Sequence, residues 1–103
     1  MKIYDSLYLG DIAKGERYNI LKAIRGKRSR FGTYVITQPH SSSAILDILT
    51  LTEFINNYYD NSTIIGIAEG KQEALMLVRR IIDDMYRTTG EFDIYAFCNI
   101  SRN

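Results

Sequence analysis

One stretch constrains this chain more than any other. Residues 63–68, Thr-Ile-Ile-Gly-Ile-Ala, are an apolar run rich in β-branched side chains, and a helical pattern begins just beyond its end. A run this short does not make an independent helix. It reads as a strand buried on both faces. From Gly70 onward, Ala74, Leu75, Leu77, Val78, Ile81, Ile82, Met85 and Tyr86 recur at steps of three and four, with Glu73, Arg79, Arg80, Asp83 and Asp84 opposite them. That spacing predicts one amphipathic helix. Glu69 and Glu73 near its start and Arg87 near its end suit the helix dipole, and Gly90 is a natural stop. A strand leading straight into a helix is one βα unit.

The same grammar appears upstream. Residues 33–37, Thr-Tyr-Val-Ile-Thr, read as a strand ended by Gln38-Pro39. A helix is expected from about residue 43 to residue 59, with Ile45, Ile48, Leu49, Leu51, Phe54, Ile55, Tyr58 and Tyr59 on its apolar side. Ser41, Ser42 or Ser43 would cap it. Residues 3–9 read as an edge strand. A helix from Asp11 to Gly26 follows, weakened by about 1 kcal/mol at Gly15. The tail, residues 92–98, alternates and reads as a strand, with a short helix as the alternative. The order is β-α-β-α-β-α(-β): one small α/β domain over residues 1–103, its mostly parallel sheet packed by helices.

Composition narrows the classes. With 103 residues, 46% of them hydrophobic and 24% charged, the chain has enough apolar material for a core of its own. No apolar run approaches the length of a membrane span, and an acid stands at Asp5 where a secretory signal needs its apolar stretch. The lone cysteine, Cys98, excludes an intrachain disulfide and a multi-cysteine zinc site, and suits a reducing compartment. A cytoplasmic protein with no membrane partner is expected. The net charge of +1 hides an asymmetry: residues 1–32 carry +5 and residues 33–103 carry −4. Such a division marks a face for an anionic partner, or simply a solvated one.

Two groups of residues stand out. Arg25, Lys27, Arg28 and Arg30 place four cations in a six-residue segment between a predicted helix and a predicted strand, with Phe31 and Tyr34 beside them. Cations grip phosphates by releasing counterions, and neighbouring rings stack on unpaired bases. The plainer reading is that Arg25 and Lys27 complement a helix C-terminus and the others are solvated. The second group lies where two strands would end: His40, Ser41, Ser42 and Ser43 after one, and Glu69, Gly70 and Lys71 after the other. If the two strands are parallel, these residues face one crevice suited to a small anion, with His40 to carry a proton and Lys71 to hold a phosphate or carboxylate. The plainer reading makes the serines a helix cap and leaves His40 and Lys71 in solvent.

Catalytic sets are thin. The segment Gly66-Ile67-Ala68-Glu69-Gly70-Lys71 has three residues between its glycines instead of four, and Gln72 follows the lysine where a P-loop has Ser or Thr. Nucleotide hydrolysis there is rejected. A single histidine rules out a His-rich metal site, and Cys98 sits in an apolar segment where a thiol packs. No catalytic residue, metal ligand or cofactor is assigned. The expectation is a non-enzymatic binding or self-assembly module, with a protein partner or a second copy as its occupant. The alternatives are nucleic-acid binding through residues 25–30 and a small-anion site or enzyme at the strand ends. A basic loop remote from any cleft would favour the first alternative, and a cleft at the strand ends the second.

Overall fold

The computed structural model describes residues 1–101. Its elements are β1 (Lys2–Leu9), α1 (Asp11–Gly15), α2 (Arg17–Arg25), β2 (Thr33–Thr37), β3 (Asp47–Thr50), α3 (Leu51–Asn57), β4 (Thr63–Glu69), α4 (Lys71–Thr89) and α5 (Ile94–Cys98). They form one four-stranded sheet in the order β1-β4-β2-β3. The apolar run of β4 lies inside the sheet, as its composition requires.

The sheet is mixed, which corrects the expectation of a mostly parallel one. β1 and β4 are parallel, whereas β2 runs antiparallel to both β4 and β3. The cause is the β1–β2 connection. The expected helix over residues 11–26 is broken at Glu16, which ends α1 and opens α2. Leu9 pairs with Ile67 and Thr33 with Glu69, so this two-helix connection leaves and re-enters at the same end of the sheet. β2 therefore runs back against β4.

Two further expectations fail. The helix expected over residues 43–59 is a strand for its first part: residues 47–50 pair with β2 before α3 begins. Thr50, not one of Ser41–Ser43, is its N-cap, and its hydroxyl accepts from the Glu53 amide at 3.1 Å. The alternating tail is the short helix α5, because the Asp93 carboxylate caps it by accepting from the Tyr95 and Ala96 amides. The β-α-β-α-β-α(-β) order is thus replaced by β-α-α-β-β-α-β-α-α.

Helices cover both faces. Leu9, Ile20, Ile24, Val35, Phe54, Ile64 and Ile67 fill the side of α1–α3, and Ile36, Ile65, Ala68, Leu77, Ile81 and Met85 fill the side of α4 and α5. Side chains alternate strictly along a regular strand, yet Ile64 and Ile67 share a face. A bulge explains this: Ile36 pairs with Gly66 and Thr37 with Ile64, leaving Ile65 extra. Gly66 then faces α4, where an added Cβ would lie 3.1 Å from Leu77 Cδ2, so the missing side chain lets the helix sit close. Along α4 the buried edge is Ala74, Leu77, Ile81 and Met85, while Leu75, Met76 and Tyr86 are exposed. Among the described residues, no helix is long and apolar enough to cross a membrane.

Candidate functional site

The parallel pair β1/β4 ends where α1 and α4 begin, and one side chain ties these ends together. The Glu73 carboxylate accepts from the Ile12 amide at 2.7 Å, the Glu69 amide at 2.7 Å and the Ala13 amide at 3.3 Å. A helix N-terminus has amides with no partner inside the helix, and an anion there is favourable. Here the protein supplies its own. Gly10 makes room: a Cβ at this position would collide with the Glu73 carboxyl group. A small anion beyond these strands would compete with a carboxylate already in place.

Beside Glu73 opens a cleft of about 600 Å³, lined by Ile12, Lys71, Gln72, Met76, Leu77 and Arg80 among others. Ile12 and Met76 are respectively 63% and 66% exposed, so its mouth is apolar. Glu69 also lines it, but its carboxylate accepts from the Thr33 hydroxyl and lies 3.8 Å from Arg30 Nη2. The Gly70 amide donates to the Gly32 carbonyl at 2.7 Å. The loop before β2 is therefore joined directly to the turn before α4, so the basic loop is not remote from a cleft. The strand-end cleft is the feature expected of the small-anion alternative, and the Glu73 carboxylate already on its amides is what opposes a small anion there.

That loop is the basic segment. α2 ends in a Schellman arrangement: the Arg28 amide donates to the Ala23 carbonyl at 2.8 Å and the Lys27 amide to the Ile24 carbonyl at 3.0 Å. The left-handed residue this requires is Lys27, with φ 53°, although Gly26 precedes it. Glycine takes that conformation freely and lysine does not. The Lys27 ammonium lies 4.6 Å from the centre of the Tyr59 ring. Next comes a tight turn in which the Thr33 amide donates to the Arg30 carbonyl at 3.3 Å and Gly32 takes φ 84°. Phe31 stands at its corner, wholly exposed.

The four cations differ. Arg30 is held between Glu16, at 3.5 Å, and Glu69. Arg25, Lys27 and Arg28 are exposed, and among the described residues none has an acidic partner within ion-pair distance. Residues 17–30 contain six basic residues and no acid. Tyr18, Lys22 and Arg25, at helical steps of four and three, lie on one exposed face of α2 leading to this loop. The sequence reading missed Tyr18, although that spacing was available to show it. Tyr34, expected to stack beside the loop, packs instead against the core under α4.

The other half of the strand-end group is elsewhere. Thr37 pairs with Ile64, at the start of β4, so His40 and Ser41–Ser43 follow β2 at the end of the sheet opposite Glu69, Gly70 and Lys71. The two groups do not converge. His40 Nδ1 lies 2.7 Å from Asp47 Oδ2, and its Nε2 lies 2.7 Å from Ser62 Oγ. The order Asp–His–Ser is that of a catalytic triad, but the surroundings are those of a clamp. The Ser62 residue is 3% exposed, and the amide after it, from Thr63, donates to Gln38 Oε1 instead of facing an oxyanion. Gln38 also donates to the Asn61 carbonyl at 3.3 Å, and the His40 ring stacks on Tyr58 with centroids 4.0 Å apart. Gln38 and His40 together fasten residues 61–63 where the ladder stops. Ser41 and Ser43 hydroxyls pair with each other at 3.2 Å.

Cys98 is buried, and burial pushes its thiol up to about 11, which keeps it protonated and unreactive near neutral pH. Among the described residues, no group of three or more His, Cys, Asp or Glu side chains is placed to hold a metal ion. Comparison with known proteins gives no match: no family model, no curated protein and no solved structure is significantly similar to the chain.

Proposed function

We propose that this chain is a non-enzymatic binding module that holds single-stranded RNA on the loop between α2 and β2. The observation that carries this reading is the loop itself. Phe31 is wholly exposed at a turn corner, three to six residues after Arg28, Lys27 and Arg25, none of which has an acidic partner within ion-pair distance among the described residues. An exposed ring is a stacking platform for an unpaired base, and free cations beside it draw the phosphates that flank that base. Lys27 adds a second argument. A cation is kept at a left-handed position where glycine would fit without strain, as happens where a conformation serves binding more than stability. Arg30 acts differently from the other three: its pairing with Glu16 and Glu69 fixes the loop against β4 and leaves it a weaker phosphate ligand. A cytoplasmic location accords with the one unpaired thiol, Cys98.

The test is binding of a fluorescent single-stranded RNA and a DNA duplex, each titrated with the wild type and with a variant carrying Arg25→Ala, Lys27→Ala and Arg28→Ala. The expected outcome is a preference for the single strand, lost in the variant. Equal retention by the variant overturns the reading. A chain that ignores RNA yet forms a defined oligomer on size-exclusion chromatography would be a self-assembly module instead.

A further inference from the structure

We infer that the cleft beside Glu73 is a nucleotide subsite, which takes one unstacked base of the strand held by the loop. This rests on the binding reading above and extends it from the loop to the strand ends. Three observations carry it.

First, the cleft and the loop are continuous. The Gly70 amide donates to the Gly32 carbonyl, and Arg30 pairs with Glu69, so the loop that carries Phe31 is tied to two residues of the cleft lining.

Second, two of the cleft's carboxylates are engaged within the protein. Glu73 is turned onto three amides, and Glu69 onto Thr33 and onto Arg30, which it shares with Glu16. The groups left to meet a ligand are Lys71, Gln72, Arg80 and Asp11, of which Arg80 also reaches the Leu9 carbonyl at 3.4 Å. Lys71, at the cleft's rim and exposed, is the natural contact for the phosphate of a nucleotide whose base, not its charge, fills the cleft.

Third, the lining offers the polarity that a base needs. Ile12 and Met76 give the mouth apolar walls, and Gln72 and Asp11 offer a donor-acceptor edge. A base has two apolar faces and a polar rim, so it covers the first pair while engaging the second. The volume of about 600 Å³ falls within the roughly 300–1,000 Å³ typical of small-ligand sites.

The same chemistry comes from a base within a strand or from a free nucleotide, and the experiment separates the two. An oligoribonucleotide carrying one 2-aminopurine, moved position by position, is titrated with the wild type, with Lys71→Ala/Met76→Ala, and with the triple loop variant. Residues 71 and 76 are both exposed, so the double variant should leave the core untouched, and its thermal unfolding is measured alongside to check this. The expected result is a fluorescence change at one position, lost in the double variant together with about tenfold in affinity. If the double variant binds and reports as the wild type does while the loop variant fails, the subsite is overturned and the loop reading stands. If the wild type binds no RNA, the loop reading falls. Adenosine monophosphate is then titrated against the amide NMR spectrum. Shifts at Ile12 and Met76 that vanish in the double variant keep the subsite as a free-nucleotide site, and their absence overturns it.

Discussion

The Glu73 carboxylate accepts from the Ile12 amide at 2.7 Å, across 61 residues of sequence. One side chain on α4 thereby completes the first turn of α1, and with the Glu69 amide it fixes the geometry of the strand ends on which the candidate site stands. Gly10 is the other half of this device, since a side chain there would occupy the place of the carboxylate.

Glu73→Ala should therefore lower stability by about 1–3 kcal/mol, the range for leaving helix-terminal amides and a partly buried donor without their partner. Gly10→Ala should cost a similar amount by expelling the same carboxylate. The double variant should cost much less than the two single costs added, because both remove one interaction. Urea denaturation of the four proteins measures this. Additive costs would show that Gly10 serves some other purpose.

Lys27→Gly separates stability from binding. Relief of the left-handed conformation contributes about 1–2 kcal/mol, against about 0.5–1 kcal/mol for the lost contact with Tyr59. A net gain in stability is expected. RNA affinity should fall, with the salt slope smaller by roughly 0.7, the share of one phosphate contact. A variant that is stabler and binds unchanged would remove Lys27 from the binding surface.

Alkaline pH should weaken the fold. Burial raises the Cys98 thiol from 9.0 to about 11. Burial, then the hydrogen bond to Asp84, raises the Tyr8 hydroxyl well above its usual range, and burial raises Tyr4. A raised folded-state value means that the folded protein holds its proton longer than the unfolded chain. The contribution is whole below pH 9 and is lost as pH climbs toward 11. Denaturation midpoints should therefore decline over that window, and Cys98→Ala should flatten part of the decline. Alkylation of the native thiol at pH 8 should be slow and should become fast in denaturant.

The Asp47–His40–Ser62 chain should behave as a clamp. His40→Ala should cost about 1–3 kcal/mol by leaving polar partners unsatisfied in a partly buried setting. Ser62→Ala should leave any background hydrolysis of an activated ester unchanged. Ester turnover that depends on Ser62 would give the chain a catalytic role.

Much of this was legible in the sequence, and what was not has identifiable causes. β4 and α4 announce themselves because an apolar run and a long stripe are tertiary signals written locally. β2 was equally plain. Its direction was not, because strand direction depends on whether a connection crosses the sheet, and the break at Glu16 is hidden within an otherwise helical pattern. β3 was lost to a helical reading of residues 43–59, whose apolar positions fit both periods for a few residues. Thr50 and Glu53, three apart, marked the true helix start and outweigh the serines upstream. The loop cations were visible from spacing alone. The pairing of Arg30 was not, because Glu16 and Glu69 come from elements far apart in the chain. The strand-end group did not stay together: Glu69, Gly70 and Lys71 line a cleft, whereas reversal of β2 carries His40 and the serines to the other end.

The most direct test of the central claim is the salt dependence of single-stranded RNA binding, followed by fluorescence anisotropy. With Arg25, Lys27 and Arg28 as the free phosphate ligands, the logarithm of the binding constant should fall with the logarithm of salt at a slope of roughly −2, or about −0.7 per contact. Phe31→Ala should weaken binding by about 1–3 kcal/mol with that slope unchanged, since stacking releases no counterion. Absence of binding near physiological salt, or a slope and affinity indifferent to these four residues, would contradict the account.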